Sequence, residues 1–234
     1  MERCVERDAY LLAGPTASSK SAIAAELARE TGAWILSADS MLVYRGMDIG
    51  TAKPPGEERE EFHMGGVDLV TPADEFSSGA WLRSAAEWLS NVPPERPVVV
   101  VGGTGLYFSA LLRGLDRKWT LPAPEYPVIK IDRGVVRERI ARRLDAMFME
   151  GLEDEKRRLH ELYPVWSRTA ALAIGYRDGD DREAILVRTC QLAKRQDTWF
   201  RHQATPIYVE PTVEAVRECW RIRGPWRVRV PWPQ

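Results

Sequence analysis

With 234 residues, 44% of them hydrophobic, the chain has the length of one compact domain and the material for a real core, which excludes a disordered protein. Its 33 Lys and Arg against 34 Asp and Glu give a net charge of -1, which excludes coating of nucleic acid or membrane by bulk attraction. The charge is unevenly spread: residues 1–112 hold 9 basic and 16 acidic side chains, the remainder 24 and 18. That division suits an anionic ligand held between the halves, and solvated helix faces would give the same count.

The first residues, MERCVERDAY, are too charged for the apolar stretch of a secretory leader, and no apolar run approaches bilayer length, so a soluble, cytoplasmic chain is expected. Cys4, Cys190 and Cys219 are odd in number, widely spaced and without C-x-x-C pairing, which fits a reduced protein without a structural metal. Short apolar runs at 9–13, 34–36, 98–101, 128–131 and 207–209 read as buried strands. Helical periodicity falls between them, at 20–30 (Ile23, Ala24, Leu27), 77–89 (Trp81, Leu82, Trp88), 135–149 (Val136, Ile140, Leu144, Met147) and 181–201 (Ile185, Val187, Leu192, Trp199). The alternation predicts an α/β fold, a parallel sheet with helices on both faces, in a single domain over 1–234. Residues 53–66 and 119–127, rich in proline and charge, read as loops, the second as a linker. The Trp/Arg/Pro-rich tail, 224–234, offers Trp226, Val228 and Val230 for a terminal edge strand that Pro231 and Pro233 would end.

The first strand runs into GPTASSKS, Gly14 to Ser21, and then into a helix, the context of a phosphate-binding loop and of a P-loop NTPase-like sheet. Backbone N–H groups of Gly14, Thr16, Ala17, Ser18 and Ser19 would wrap a diphosphate at the helix N-terminus, Lys20 would add positive charge, and the Ser21 hydroxyl would ligate Mg²⁺. Ser19 replaces the second glycine of the usual pattern, and a left-handed conformation there costs about 1–2 kcal/mol. A serine-rich helix cap without ligand is the other reading of this segment.

Asp39 and Ser40 follow the second strand at the carboxyl edge of the sheet, where ligands bind in parallel α/β folds. Asp39 is placed to take a proton from a nucleophile or, as simply, to form a local Asx turn or helix cap. Thr104 follows Gly102 and Gly103 on the same edge, again with a helix cap as the other reading.

Four segments, GPTASSKSAIAAELA, ILSADSMLVYRGMDIGTAKP, VVVVGGTGLYFSALLRGL and QLAKRQDTWFR, with the weaker AIGYR at 173–177, resemble the tRNA dimethylallyltransferases, or isopentenyl-diphosphate transferases. The resemblance implies prenyl transfer from dimethylallyl diphosphate, with Asp39, Thr104 and Arg143 as catalytic residues. Asp39 would deprotonate the acceptor, Thr104 would face the bridging oxygen of the leaving diphosphate, and Arg143 would clamp it. Ser40 and Met41 would meet the acceptor, and Arg195 the diphosphate. Arg137, Arg139 and Arg142 are expected to be solvated or paired with Glu138 and Asp145, Lys194 to share the side of Arg195 or a solvated face, and His63 to lie at the surface. Tyr44, Tyr107 and Trp199 are candidates to line an apolar donor pocket, with core packing as the alternative for each.

Family members that modify tRNA carry a helical insertion after the GGTGLY helix; here Gly114 leads through LDRKWTLPAPEYP almost directly to the next strand. That brevity and the near-zero charge favour a small aromatic acceptor, an adenine nucleotide or an indole, ahead of a tRNA adenosine. A P-loop small-molecule kinase is a further alternative, although it gives no reason for the SADS and GGTG segments.

Overall fold

The structure, a computed structural model, describes residues 4–115, 125–177 and 181–231. Six strands form one sheet: β1 (Cys4–Ala13), β2 (Trp34–Ser37), β3 (Val98–Gly102), β4 (Glu125–Ile129), β5 (Thr205–Val209) and β6 (Trp226–Pro231). The first five run parallel in the order β2-β3-β1-β4-β5. Every residue of β3 is buried, as expected of an uninterrupted valine run in a sheet covered twice. Side-chain alternation divides the core: Leu11, Ala13, Val98 and Val100 face one way, and Leu12, Ile35, Val99 and Val101 the other.

The second face is covered by α1 (Lys20–Thr31) and α8 (Val213–Arg223), which bury Ile23, Leu27, Val216 and Trp220. The first face carries α3 (Ser78–Asn91), α4 (Gly105–Arg113), α5 (Arg133–Met149), α6 (Leu152–Leu162) and α7 (Arg182–Gln203). The starts of α3 and α7 are set by side-chain caps: Ser77 accepts from Ala80 N–H at 3.1 Å, and Asp181 from Glu183 and Ala184 N–H at 3.0 and 3.1 Å. Phe108, Tyr126 and Phe200 pack together beneath the sheet, with ring centroids 5.1–6.3 Å apart.

Several boundaries differ from those read in the sequence. The expected loop at 53–66 contains a short helix, α2 (Gly56–Glu61), whose side chains are all at least partly exposed; without an apolar stripe it leaves no periodic signal. Of the linker at 119–127, residues 119–124 lie outside the described part, while Tyr126 and Pro127 are buried in β4. Pro127 interrupts the strand pattern in the sequence, and β4 accommodates it at a position paired with β5, the pairing of β1 with β4 being confined to Val128. The tail does form the strand that Trp226, Val228 and Val230 offered: β6 runs antiparallel to Cys4–Ala9 of β1, with Val5 opposite Val230 and Arg7 opposite Val228, and residues 232–234 are outside the described part. Ala9 pairs with Val98 on one side and Trp226 on the other, so β6 lies on the β4 side of the central strand. This partner is why β1 extends back to Cys4.

Val228 and Val230 are fully buried, whereas the exposed Arg227 and Arg229 meet Glu6 and Asp8 in pairs at 3.1–3.3 Å. Exposed pairs contribute little, so the valines hold the register. Val230→Ala is expected to lower unfolding stability by about 2 kcal/mol in urea titration, and Arg227→Ala by about 0.5 kcal/mol or less.

Candidate functional site

β1, β3 and β2 end side by side, and their carboxyl ends deliver three loops to one place: Gly14–Ser19, Gly102–Thr104 and Ala38–Met41. The first loop leads into α1 with two non-glycine residues in the left-handed region, Ala17 (φ 61°) and Ser19 (φ 68°). Ser19 thus adopts the strained conformation its position demanded, at about 1–2 kcal/mol, and Ala17 adds a second such cost. Neighbours hold the loop in this shape: Arg139 Nη1 donates to Ser19 Oγ at 2.8 Å and to Ala17 O at 3.4 Å, and Lys20 Nζ donates to Pro15 O at 3.2 Å. A side chain at Gly14 would lie 2.9 Å from Ser18 Oγ and 3.0 Å from Ile129. Ser18 is fully buried, and its hydroxyl has no hydrogen-bond partner among the described residues.

Gly102 allows β3 to touch the loop after β2: a Cβ there would stand 2.1 Å from Ala38 O. Ala38 N–H donates to Val101 O at 2.8 Å, and Thr104 N–H to Ala38 O at 3.0 Å. Thr104 precedes α4, yet its hydroxyl makes no cap. It accepts from Ser40 N–H at 2.9 Å and donates to Ser40 Oγ at 3.2 Å, so the helix-cap reading fails. Asp39 Oδ1 accepts from Met41 N–H at 2.9 Å. The local turn expected as an alternative does form, and the same carboxylate still lines the cavity.

The opposite wall comes from α5 and α7. Arg143 Nη2 donates to Thr16 Oγ1 at 2.7 Å, and burial lowers the guanidinium's pKa while Asp39 acts to raise it. Gln196 Oε1 accepts from Thr16 N–H at 2.8 Å, and its Nε2 donates to Gly103 O at 3.0 Å. Trp199 lies against Gly105, where a Cβ would fall 2.0 Å from the indole. Of the other arginines of the basic helix, Arg142 and Arg137 are exposed as expected, although Arg137 meets Glu183 at 3.6 Å and Asp145 meets Arg182, whereas Arg139 departs from the expectation by gripping the phosphate loop. Arg139 and Gln196 were missed as site residues. The i,i+4 spacing of Arg139 and Arg143 places them on one helix face and could have found the first; nothing local marks Gln196.

These elements enclose a cavity of about 430 Å³. Thr16, Asp39, Ser40, Met41, Thr104, Arg143 and Arg195 line it, as do Trp199 and the apolar Ile140, Leu144, Met147 and Ile185. Lys20 and Ser21 line a separate hollow of about 30 Å³ that Asp39 also reaches. Gly14, Ala17, Ser18 and Ser19 shape the loop and line neither space. Tyr44 and Tyr107 are core residues, Tyr107 stacked on Trp81 at 4.3 Å; Lys194 is exposed, and the exposed His63 stacks on Trp34.

Lys20 is buried, which lowers its pKa from 10.5 to about 8; Asp39 opposes this and Arg143 adds to it. The hollow's oxygen donors, the Ser21 hydroxyl and the Asp39 carboxylate, suit a hard cation that keeps most of its water. Among the described residues no three His, Cys, Asp or Glu side chains cluster into a cage, so Mg²⁺ would have to share the oxygens of a bound phosphate.

One wall is set from far away in the chain. Glu155 on α6, 2% exposed, accepts the N–H groups of Asp48, Ile49 and Gly50 at 2.9–3.3 Å and the Tyr176 hydroxyl. Gly50 and Thr51 of that loop line the cavity. A Cβ on Gly50 would meet the Tyr176 ring at 2.5 Å.

A parallel sheet in this order, with a Gly14–Ser21 loop of phosphate-loop pattern leading from its first strand into a helix, defines a P-loop NTPase-like fold. The IPP transferase family profile matches residues 42–128 and 123–203, and the isopentenyl transferase profile residues 7–64. A tRNA dimethylallyltransferase of Acidithiobacillus ferrooxidans is 30% identical, across 87% of this chain and 90% of the relative. One from Phenylobacterium zucineum is 51% identical over 117 residues, 49% of this chain and 38% of the relative. Among solved structures, the full-length tRNA isopentenylpyrophosphate transferase of Bacillus halodurans superposes with a TM-score of 0.78 at 25% identity, covering 92% of this chain and 95% of that one. A eukaryotic dimethylallyltransferase described as acting on tRNA shares the fold, with a TM-score of 0.71 at 19% identity over 92% of this chain and 76% of that one. The chain therefore belongs to the tRNA dimethylallyltransferase family, a family of prenyltransferases.

An unfolded chain keeps the lysine proton up to pH 10.5, whereas folded Lys20 releases it from about 8, so between these values the unfolded state binds more protons. Stability of the ligand-free protein should therefore rise with pH across that window through this group, while affinity for inorganic pyrophosphate, which favours charged Lys20, should fall above about pH 8. Calorimetric titration of wild type against Lys20→Met checks the second: the variant should bind more weakly and lose this component of the pH dependence. Glu155→Ala leaves the Asp48 and Ile49 N–H groups and the Tyr176 hydroxyl without their acceptor, while Gly50 N–H keeps the Tyr176 oxygen, and is expected to lower stability by about 3 kcal/mol in urea titration.

Proposed function

We propose that this protein transfers the dimethylallyl group of dimethylallyl diphosphate to an adenosine of tRNA, releasing diphosphate. The observation that carries the proposal is the convergence of Asp39, Thr104 and Arg143 on one cavity whose wall also carries Arg195 and the apolar Ile140, Leu144, Met147 and Ile185. An allylic diphosphate combines the same two characters, a charged head and a small apolar tail.

In this reading, N–H groups at the start of α1 and the side chains of Lys20 and Arg143 hold the diphosphate. Burial makes both cations effective because little water screens them. The Thr104 hydroxyl, already fixed by Ser40, faces the bridging oxygen, where negative charge grows as the allylic C–O bond breaks. Asp39 takes the proton from the attacking amine as the new C–N bond forms, with Ser40 and Met41 beside the acceptor and Arg195 at the diphosphate side. Mg²⁺, held by Ser21 and phosphate oxygens, would neutralise charge on the departing diphosphate.

The order of acceptors expected from the sequence is reversed. Relatives aligned over most of the chain are named for tRNA, and no feature of the cavity asks for a free nucleotide or an indole. Family membership likewise displaces the kinase alternative. The alignment with the Acidithiobacillus relative spans 284 positions against 234 residues here, and the family profile breaks at 123–128. Both support a chain that lacks the insertion after α4, so tRNA would be held by other surfaces, with Lys194 exposed on α7 to meet its phosphates. Among the described residues no helix is long and apolar enough to cross a membrane.

Unmodified tRNA, AMP and tryptophan, each offered separately with dimethylallyl diphosphate and Mg²⁺, should show the prenyl mass gain on tRNA alone. Gain on AMP or tryptophan alone would restore the small acceptor. Asp39→Asn should lower kcat by about 10²–10⁴-fold. Thr104→Val should lower it by about 10²–10³-fold.

A further inference from the structure

We propose that Gln196 is a positioning residue, a clamp that sets the phosphate loop and the Gly102–Thr104 turn in register before substrate binds. The proposal rests on the diphosphate reading of the cavity given above. The requirement for glycine at position 103 of that turn then has a cause on α7.

A carboxamide carries a donor and an acceptor on one planar head, and Gln196 uses each for a different loop. Its Oε1 accepts from Thr16 N–H at 2.8 Å and its Nε2 donates to Gly103 O at 3.0 Å. The amide orientation follows from its partners, since an N–H needs the oxygen and a carbonyl needs the NH₂. The fit leaves no room for another side chain: a Cβ on Gly103 would stand 2.3 Å from Nε2. One helical turn on, Trp199 closes against Gly105 in the same way, so a single face of α7 packs against both ends of the turn that carries Thr104.

Each loop is also tied to a proposed catalytic side chain. Thr16 receives Arg143 through its hydroxyl, and Thr104 holds Ser40. Gln196 therefore joins the part of the site that grips diphosphate to the part that meets its bridging oxygen. The Thr16 N–H is occupied by this bond, which leaves anion binding to the amides that follow it. If the residue only satisfied two main-chain groups, its removal would weaken the fold without linking the loops; a clamp predicts coupling between them.

A double-mutant cycle separates the two cases, with inorganic pyrophosphate binding measured by calorimetry on the full chain as wild type, Gln196→Met, Thr104→Ala and the pair. Gln196→Met is expected to weaken binding about tenfold when Thr104 is present and less than about threefold when Thr104→Ala is already in place. Gln196→Asn, which keeps the amide but is too short to span both loops, should behave as Gln196→Met does. In prenyl transfer, kcat for both should fall about 10²-fold with a smaller change in KM. Equal losses in the two backgrounds, unchanged affinity, or the absence of a cooperative melting transition in both Gln196 variants would overturn the clamp. Wild type that binds no pyrophosphate would overturn the diphosphate reading and the clamp with it, whereas wild type that binds normally while the cycle is additive removes the clamp alone.

Discussion

The site depends on one backbone contact, the approach of Gly102 to the Ala38 carbonyl at the ends of β3 and β2. A Cβ 2.1 Å from that oxygen cannot be accommodated, because both sides of the contact are main chain. Without a side chain there, Thr104 N–H reaches Ala38 O and the Thr104 hydroxyl reaches Ser40. Asp39 and Thr104, 65 residues apart in sequence, then face one cavity as a consequence of sheet geometry rather than of their own side-chain chemistry.

Around that contact the protein concentrates positive charge where it costs stability. Lys20 and Arg143 are both partly stripped of water, their pKa values are lowered by burial, and Asp39 is a nearby anion that acts on each. The phosphate loop adds two left-handed non-glycine residues. Strain and buried positive charge in one place fit the diphosphate role proposed for the site, because an anion bound there would offset their desolvation.

The support for this strained region is non-local. Arg139 and Arg143 on α5 hold Ser19 and Thr16, Gln196 on α7 holds Thr16 and Gly103, and Glu155 on α6 holds the loop at Asp48 to Gly50. The second half of the chain thus acts on the loops of the first. Its Arg-rich composition reflects this in part, since Arg139 and Arg143 face the site while Arg137, Arg182 and Arg217 are in exposed ion pairs.

The sequence by itself determined the fold class, the phosphate loop and the placing of Asp39 and Thr104 on one sheet edge, because glycine patterns and apolar periodicity are local properties, whereas Arg143 entered only through the family resemblance. It also anticipated the left-handed Ser19, whose position in the loop demanded it. It offered β6 through the alternation of Trp226, Val228 and Val230, but not its partner, since the antiparallel pairing with β1 is a property of the assembled sheet. It could not separate Arg139 from Arg142, because helix-face exposure depends on what packs against the helix. Nor could it find Gln196 or Glu155, whose partners lie 93–180 and 105–107 residues away, and whose roles come from hydrogen bonds that exist only once the sheet has brought the loops together. Tertiary structure decided those, because a side chain's partners follow from which strand ends are adjacent, and adjacency is a property of the sheet.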